Sequence, residues 1–372
     1  MIVVRDAVEL PLRTGSVQTV VTSPPYWGLR QYAGDQSFLW PNPDGTEWEG
    51  ALGLEPTPEL YVAHLTQVFA EVWRVLRDDG TLWVNLGDGY AASGYSRQDN
   101  TGGAKRVDGG KQKHSPVPMG LKSKDLIGIP WRVAFALQAA GWYLRSDIIW
   151  AKPNPMPESV RDRPTRSHEY VFLLTKSPRY YYDAAAIAEP VAASTLQQVR
   201  DGYTGQATKD YATGQAQDPS ATKSRIIEGL RRKNEQSGDR RKEGFNDRWD
   251  AKTSVDLTRN ARSVWTINPQ PYPEAHFATF PTELARRCIA AGSKPGDLVL
   301  DPFGGSGTTA RVAELLGRQG LSVDVSLEYA RLAKARCQQP VLFSAPCGLP
   351  SPTPPSTPTT PLLENKGNLL IN

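Results

Sequence analysis

A chain of 372 residues with a net charge of +4 at neutral pH can bury a substantial core, as one large domain or as two ordinary ones. Its three cysteines are odd in number and widely spaced, which excludes a disulfide framework and a cysteine-based zinc site. Neither a secretory leader nor an apolar run of membrane-spanning length is recognisable, so we expect a cytoplasmic protein of a reducing compartment, with no membrane partner and no bound metal.

The first predicted elements are two short strands. Ile2–Val4 is apolar and is followed closely by Asp6, and Val17–Val21 is followed directly by the hexapeptide Thr22–Trp27, TSPPYW. Two adjacent prolines fix the backbone and remove two donors, so nearby carbonyls are left as outward-pointing acceptors. Aromatic rings beside rigid acceptors suit a planar base that bears an exocyclic amine, whereas the plain alternative is a surface turn.

The middle of the chain predicts helices that alternate with strands. After a long loop over residues 28–58, a helical period covers Glu59–Arg77 and stops at Asp78–Gly80. The elements predicted next are a strand at Thr81–Leu86, a helix at Pro130–Ala140 ended by Gly141, and strands at Trp142–Trp150 and Tyr170–Leu174. This alternation indicates an α/β fold with helices on both faces of the sheet.

Two polar segments interrupt the alternation. Residues 93–124 hold seven Lys or Arg and two Asp, and are either a solvated loop or a contact with DNA phosphates. Residues 191–262 hold fourteen Lys or Arg and ten Asp or Glu, a surplus equal to the net charge of the whole chain. This insert is either disordered or a nucleic-acid contact, and the two readings are compatible because such regions can order on DNA.

The last third predicts a nucleotide site. A helix at Pro281–Ala291, ended by Gly292, precedes an apolar strand at Leu298–Leu300 and then Asp301–Thr309, DPFGGSGTT. Small residues between a strand and the start of a helix let a ligand approach free backbone N–H groups. The turn has no Lys to meet a triphosphate, so the expected ligand carries little or no phosphate, which fits S-adenosylmethionine.

A second strand completes this site. Leu321–Val325 contains Asp324, about twenty positions past the glycines, where a carboxylate would accept hydrogen bonds from ribose hydroxyls. A last helix is predicted at Glu328–Arg336, and the tail from Pro346, rich in Pro, Ser and Thr, is predicted to be disordered.

Four of these segments resemble motifs of the permuted, beta-type amino-group DNA methyltransferases, in which the catalytic motif precedes the cofactor motif. TSPPYW resembles the form of the catalytic motif usual in N4-cytosine enzymes, while adenine enzymes more often carry Asp at its first position. DPFGGSGTT resembles the cofactor loop, Val323–Tyr329 the ribose-binding strand end, and His276–Pro281 the segment that closes over the methionine part of the cofactor. The resemblance implies a Rossmann-like S-adenosylmethionine-dependent methyltransferase sheet with a circularly permuted motif order.

The resemblance also implies roles for individual residues. The catalytic set is Ser23, Pro24, Pro25 and Tyr26. The cofactor-binding set is Asp6, Phe280, Pro281, Asp301, Pro302, Phe303, Gly305, Gly307, Thr308, Thr309 and Asp324. The target-base pocket and the DNA surface draw on Trp27, Trp150, Lys152, Arg231, Arg232, Arg240 and Arg241.

The same resemblance implies a domain organisation. Residues 1–190 form the catalytic half of the methyltransferase domain, which includes the basic loop 93–124, and residues 263–340 form the cofactor-binding half. Residues 191–262 form an inserted DNA target-recognition region, and residues 341–372 form the disordered tail.

The implied function is methyl transfer from S-adenosylmethionine to the N4 amine of a flipped cytosine in double-stranded DNA. Ser23 and the Pro24 carbonyl would accept hydrogen bonds from the amine, and Tyr26 would stack on the base. The alternatives are N6-adenine methylation, methylation of RNA or of a protein glutamine, and an inactive homologue that binds DNA and cofactor. A separately encoded restriction endonuclease is a candidate partner.

Overall fold

A largely parallel sheet carries most of the described chain. The computed structural model describes residues 1–28, 37–91, 120–191, 258–270 and 281–338, together with the backbone of Leu369–Leu370. It consists of two units, one formed by Met1–Ala186 with Arg262–Asn372, and the other by Ile187–Ala261.

The elements are numbered in chain order over the described residues. The strands are β1 (Ile2–Val4), β2 (Val17–Thr22), β3 (Phe38–Pro41), β4 (Glu47–Gly50), β5 (Leu76–Leu86), β6 (Tyr143–Ala151), β7 (His168–Thr175), β8 (Glu189–Pro190), β9 (Thr258–Arg259), β10 (Val264–Thr266), β11 (Leu298–Asp301), β12 (Gln319–Asp324) and β13 (Leu369–Leu370). The helices are α1 (Pro58–Val75), α2 (Ile129–Ala139), α3 (Thr282–Gly292), α4 (Thr308–Leu315) and α5 (Leu327–Gln338).

The order of the strands brings the two distant motifs together. The sheet runs β10-β6-β7-β5-β2-β11-β12-β1-β13. The neighbours from β5 to β1 are mutually parallel, while β7 is antiparallel to both β5 and β6. Since β2 and β11 are adjacent and parallel, the TSPPYW and DPFGGSGTT motifs leave the same edge of the sheet. The predicted α/β, Rossmann-like sheet with permuted motif order is confirmed.

Helices cover both faces of the sheet. Successive side chains of a strand point to opposite faces, so neighbouring residues pack against different helices. Val3 belongs to the large core that includes buried side chains of α1 and α2, such as Phe69 and Leu137. Its neighbour Ile2 points to the other face and packs with Ala310 of α4 and with α5. The same face receives α3, which contacts β2 and β5.

The helix predicted at Glu59–Arg77 is shorter than the sequence indicated. It ends at Val75, and Leu76 already belongs to β5, where it pairs with Val17 of β2. Leu76 is fully buried, and the register shifts before Thr81, so Asp78–Gly80 lie within an irregular part of the strand and do not stop the helix. A Cβ at Gly80 would lie 2.8 Å from the Leu76 side chain, which explains the glycine.

The glycine predicted to terminate the helix at Pro281–Ala291 has a different role. Gly292 is the last residue of α3, and a Cβ there would lie 2.4 Å from Thr81 Oγ1 and 2.7 Å from Thr19 Oγ1. The glycine therefore allows α3 to pack closely on the sheet.

The region predicted as a long loop, residues 28–58, contains the hairpin β3–β4. The Asn42–Thr46 turn closes it, with Gly45 at φ +83°. Trp40 and Trp48 of this hairpin stack on His64 of α1 with ring centroids 5.1 and 5.6 Å away. His64 Nδ1 lies 3.2 Å from the buried Glu55 carboxylate. This cluster fixes the hairpin to α1 beside the TSPPYW turn.

The second unit is described only at its ends. There β8 pairs with β9, and Arg259 lies 3.4 Å from Glu189. The predicted DNA-contacting arginines of the insert, Arg231, Arg232, Arg240 and Arg241, lie outside the described residues. So do residues 93–119 of the basic loop and all of the predicted tail except Leu369–Leu370, which pair with β1. Among the described helices, none is long and apolar enough to cross a membrane.

Candidate active site

The TSPPYW turn is held by its backbone at the end of β2. Tyr61 of α1 donates its hydroxyl to the Pro25 carbonyl at 2.8 Å, and Trp27 donates its indole N–H to the Glu55 carbonyl at 2.9 Å. Within the described chain, no hydrogen bond to the Pro24 carbonyl is found. The prolines and these two anchors thus fix the turn and leave the Pro24 carbonyl available to a ligand.

A polar network surrounds the Tyr26 hydroxyl, which donates to Glu169 Oε2 at 2.7 Å. The Tyr26 hydroxyl oxygen accepts hydrogen bonds from Asn85 Nδ2 at 2.8 Å and from the Ser23 hydroxyl at 3.4 Å. Lys152 forms a short ion pair with Glu169 Oε1. One cluster is therefore supplied by three separate parts of the chain: the turn after β2, strand β5, and the ends of β6 and β7.

The position of the Tyr26 ring depends on a glycine at the end of β5. A Cβ on Gly87 would lie 2.5 Å from the Tyr26 ring, closer than any real contact allows. Gly87 thus provides the space in which the ring lies, half-buried beside Ser23.

Asn85 has an acceptor that the described protein does not use. Its side chain is 4% exposed, its Nδ2 is bonded to the network, and its Oδ1 has no hydrogen-bond partner. A buried polar atom without a partner costs free energy, and this cost arises next to Ser23 and Tyr26.

The Asp301 carboxylate joins the two motifs from inside the protein. It is 1% exposed and accepts hydrogen bonds from Thr22 Oγ1 at 2.6 Å, Thr309 Oγ1 at 2.8 Å and the Phe303 amide at 3.1 Å. Burial raises the pKa of Asp301 to about 6, despite these hydrogen bonds. The sequence predicts that Asp301 binds the cofactor, and the structure places its carboxylate beneath the turn, where it shapes the site.

The glycines of the cofactor turn bring backbone close to the ends of two strands. Gly304 is so close to β12 that a Cβ would lie 1.6 Å from Ser322 Oγ. Gly305 and Gly307 adopt left-handed φ of +48° and +74°, which favour glycine. Gly305 donates its amide to Asp324 Oδ2 at 2.8 Å. The turn therefore presents bare backbone next to the predicted ribose-binding carboxylate.

The other predicted cofactor residues belong to the turn itself, to the segment that follows β1 and to the start of α3. Asp6 follows β1, the neighbour of β12, and burial raises the pKa of its carboxyl. Pro302 is buried, Thr308 begins α4, and Pro281 caps α3. Phe280 lies outside the described residues. These features fit a nucleoside without phosphate, because carboxylates lie at adjacent strand ends and the glycine turn carries no Lys.

The predicted base-pocket residues differ in accessibility. Lys152 lies in the site, with its ammonium 4.3 Å from the centre of the Trp150 ring. Trp150 itself is 3% exposed and donates its indole N–H to the Ile267 carbonyl at 2.9 Å. We therefore propose that Trp150 supports Lys152 from below, in place of the direct base contact that the sequence predicts.

Asn85 was missing from the predicted site, and Glu169 was recognised only within His168–Tyr170, a segment that resembles the lining of the family's target-base pocket. Asn85 is a polar residue inside an apolar strand, and Glu169 follows a predicted loop at the start of β7. The interruption of the run Leu82–Leu86 by an amide was a visible signal for Asn85. Gly87 could not be recognised, because its role depends on a ring sixty-one positions earlier.

The known proteins to which this chain is similar are DNA methylases. Residues 17–335 match the family model N6_N4_Mtase, described as DNA methylase. The chain is 44% identical over 329 residues to the type II methyltransferase M.Cfr9I of Citrobacter freundii, covering 88% of this chain and 83% of that one. It is 42% identical over 332 residues to the type II methyltransferase M.SmaI of Serratia marcescens, covering 89% and 87%. The solved structure of the PvuII DNA methyltransferase (cytosine-N4-specific) shares the fold, with a TM-score of 0.53 and 18% identity over 92% of this chain and 87% of that one.

Proposed function

The chain belongs to the N6/N4 family of DNA methylases, and from this premise we propose that it methylates the N4 amine of a cytosine flipped out of double-stranded DNA. It is an amino-group DNA methyltransferase that uses S-adenosylmethionine. The choice of cytosine is our proposal, and the observation that carries it is Ser23. A hydroxyl, where adenine enzymes more often carry a carboxylate, stands at the first position of the catalytic turn.

Ser23 and Pro24 are suited to activate an amine. The nitrogen of a cytosine amine is a poor nucleophile because its lone pair is delocalised into the ring. We propose that its two N–H groups donate to Ser23 Oγ and to the Pro24 carbonyl, which Tyr61 and Trp27 hold in place through the neighbouring backbone. These hydrogen bonds favour a tetrahedral nitrogen and free the lone pair for attack.

Tyr26 is proposed to hold the base itself. A cytosine inside a duplex cannot reach the site, so it must leave the stack. The Tyr26 ring lies in the space left by the absent side chain of Gly87, and its hydroxyl is hydrogen-bonded to Glu169. A ring fixed in this way is a platform on which a flipped base can stack.

The residues proposed to hold the cofactor are those of the turn and of the adjacent strand ends. When bound, S-adenosylmethionine supplies an electrophilic methyl group. Asp324 would accept from the ribose, Asp6 would contact the adenine, and the backbone of Gly305 and Gly307 would allow close approach. Asp301 keeps this turn next to Ser23 through Thr22.

Partners follow from the same proposal. We propose that the insert recognises DNA through Arg231, Arg232, Arg240 and Arg241, and that a separately encoded restriction endonuclease shares its recognition sequence. Such an enzyme acts where its DNA lies, in the cytoplasm.

Product analysis tests the proposal. Purified protein is incubated with S-adenosylmethionine and genomic DNA from a strain lacking DNA methylation, and the digested nucleosides are identified by mass spectrometry. Ser23→Ala, prepared in parallel, controls for contaminating activity. We expect N4-methylcytosine with the wild type and a strong loss with the variant. N6-methyladenine would assign the protein to the other branch of the family and overturn the role given to the serine.

A further inference from the structure

We propose that Glu169 is the acceptor of the proton that the methylated amine must lose, and that this proton reaches it through Ser23 and Tyr26. The inference rests on the proposed function only in that an amine binds at Ser23. It holds for either base. It assigns a chemical role to a residue that the catalytic motif does not contain.

The need for an acceptor follows from the balance of the reaction. As the N–CH₃ bond forms, the S–CH₃ bond of the donor breaks, and the positive charge passes from sulfur to nitrogen. The lone pair that conjugates with the ring is restored only when one N–H bond breaks. The proton released at that point needs a base close to the nitrogen.

The directions of the hydrogen bonds define a path. Asn85 Nδ2 can only donate, and it donates to the Tyr26 hydroxyl oxygen at 2.8 Å. Ser23 donates to the same oxygen at 3.4 Å. The Tyr26 hydroxyl in turn donates its proton to Glu169 Oε2, at 2.7 Å.

The proton can then move by exchange along this chain. Ser23 Oγ takes a proton from the amine as its own proton passes to the Tyr26 oxygen. The Tyr26 proton passes to Glu169, which becomes neutral and later releases it to solvent. Both hydroxyls regain their original state. The 3.4 Å step is long for an O–H···O bond, and such contacts tighten when substrate binds.

The surroundings of Glu169 keep it in place for this role. Its Oε1 is paired with Lys152, and its Oε2 also receives Asn85 Nδ2 at 3.0 Å. The charged or titratable groups that face it are Lys152, Tyr26, and in its own segment His168 and Arg166. Asn85 has no basic atom, and Glu169 is the carboxylate of this cluster. Glu169 is therefore the group that can take up the proton.

Glu169→Gln separates proton capture from positioning. Glutamine keeps the size of the side chain and an oxygen that accepts from Tyr26, but it cannot take up a proton. We expect the single-turnover rate of methyl transfer to fall ~100-fold, as is usual for loss of a general base. The affinities for cofactor and for DNA should change less than about twofold, since no binding contact is removed.

The pH profile provides the readout that a purely structural role would not move. The pH profile of the wild-type rate should show an acid limb, and this limb should disappear in Glu169→Gln. His168→Gln should keep the limb, which separates the role of Glu169 from that of its neighbour. Glu314→Gln, at the far end of α4 and 43% exposed, is the matched control and should behave as the wild type.

Tyr26→Phe tests the path. It removes the hydroxyl and keeps the ring, so its rate should match that of Glu169→Gln, and the double variant should be no slower than either single variant. A rate for Glu169→Gln within about threefold of the wild type, or an unchanged acid limb, would overturn the inference. Because these rates are measured on DNA, an inactive wild type would refute the proposed function instead.

Discussion

Thr22 donates its hydroxyl to Asp301 at 2.6 Å, across 279 positions of sequence. The two residues end adjacent parallel strands, β2 and β11, and each begins one of the two motifs. This buried hydrogen bond, together with that of Thr309 Oγ1 to the Val21 carbonyl at 3.1 Å, ties the TSPPYW turn to the DPFGGSGTT turn. The permuted order of the motifs does not separate them in space, because the strands that precede them are neighbours in the sheet.

Thr22→Val should weaken this tie. Valine has the shape of threonine and leaves the Asp301 carboxylate without one donor, so the free energy of unfolding should fall by about 1–3 kcal/mol, with weaker cofactor binding. Urea denaturation and calorimetric titration with S-adenosylmethionine measure the two effects. Thr66→Val, which removes a hydroxyl bonded to Val62 within α1, is the control and should bind cofactor normally. Unchanged stability in Thr22→Val would contradict the structural role of this bond.

Asp301 should make the protein less stable as pH rises. Its carboxyl has a folded pKa of about 6, above its ordinary value of 3.8, so its contribution is fully present below pH 3.8 and is lost as pH rises through 6. Asp301→Asn lacks this titration, and its amide can donate to Thr309 Oγ1, which already donates to Val21 O at 3.1 Å. Between pH 4 and 7 the wild type should lose about 2 kcal/mol of unfolding free energy relative to this variant. A constant difference over that range would show that Asp301 is not held in a charge-excluding site.

Gly87→Ala should disturb the catalytic ring selectively. The added Cβ would lie 2.5 Å from Tyr26, so the ring must move, and methyl transfer should slow by at least ~10-fold. Gly89→Ala is the control, because its Cβ would meet only the end of Ile127 at 3.7 Å. Rates under single turnover compare the two. Equal rates for both variants would mean that the ring position does not matter.

Tyr26→Ala should abolish transfer and leave cofactor affinity nearly intact, because the ring is proposed to hold the base. Tyr143→Ala, 44% exposed at the opposite edge of the sheet, should retain activity. Transfer is followed by incorporation of labelled methyl groups into DNA, and cofactor affinity by calorimetry. An equal loss of cofactor affinity would refute this role for Tyr26.

The sequence predicts the local parts of this molecule well. Apolar runs and the glycine–proline punctuation locate β2, β11 and the turns that follow them, since these depend on neighbouring residues. The boundary at Val75 was missed because Leu76 is drawn into β5 by pairing with Val17, a distant residue. Local pattern cannot reveal a competition of that kind.

The site was predictable where a motif carries it and not where side chains meet across the fold. Ser23 and Tyr26 stand in one hexapeptide, but Tyr26 finds Glu169 143 positions later and Asn85 59 positions later. Such contacts depend on strand order and register, which composition and periodicity do not specify.

A crystal structure of the protein with a duplex containing its target sequence and an unreactive cofactor analogue tests the central claim most directly. We expect the target cytosine outside the duplex, stacked on Tyr26, with its N4 within hydrogen-bond distance of Ser23 Oγ and the Pro24 carbonyl. The sulfur or its substitute should lie in line behind the transferred position, with reacting atoms about 3–3.5 Å apart. A target base that stays stacked in the duplex, or an amine bound away from Ser23, would contradict the account.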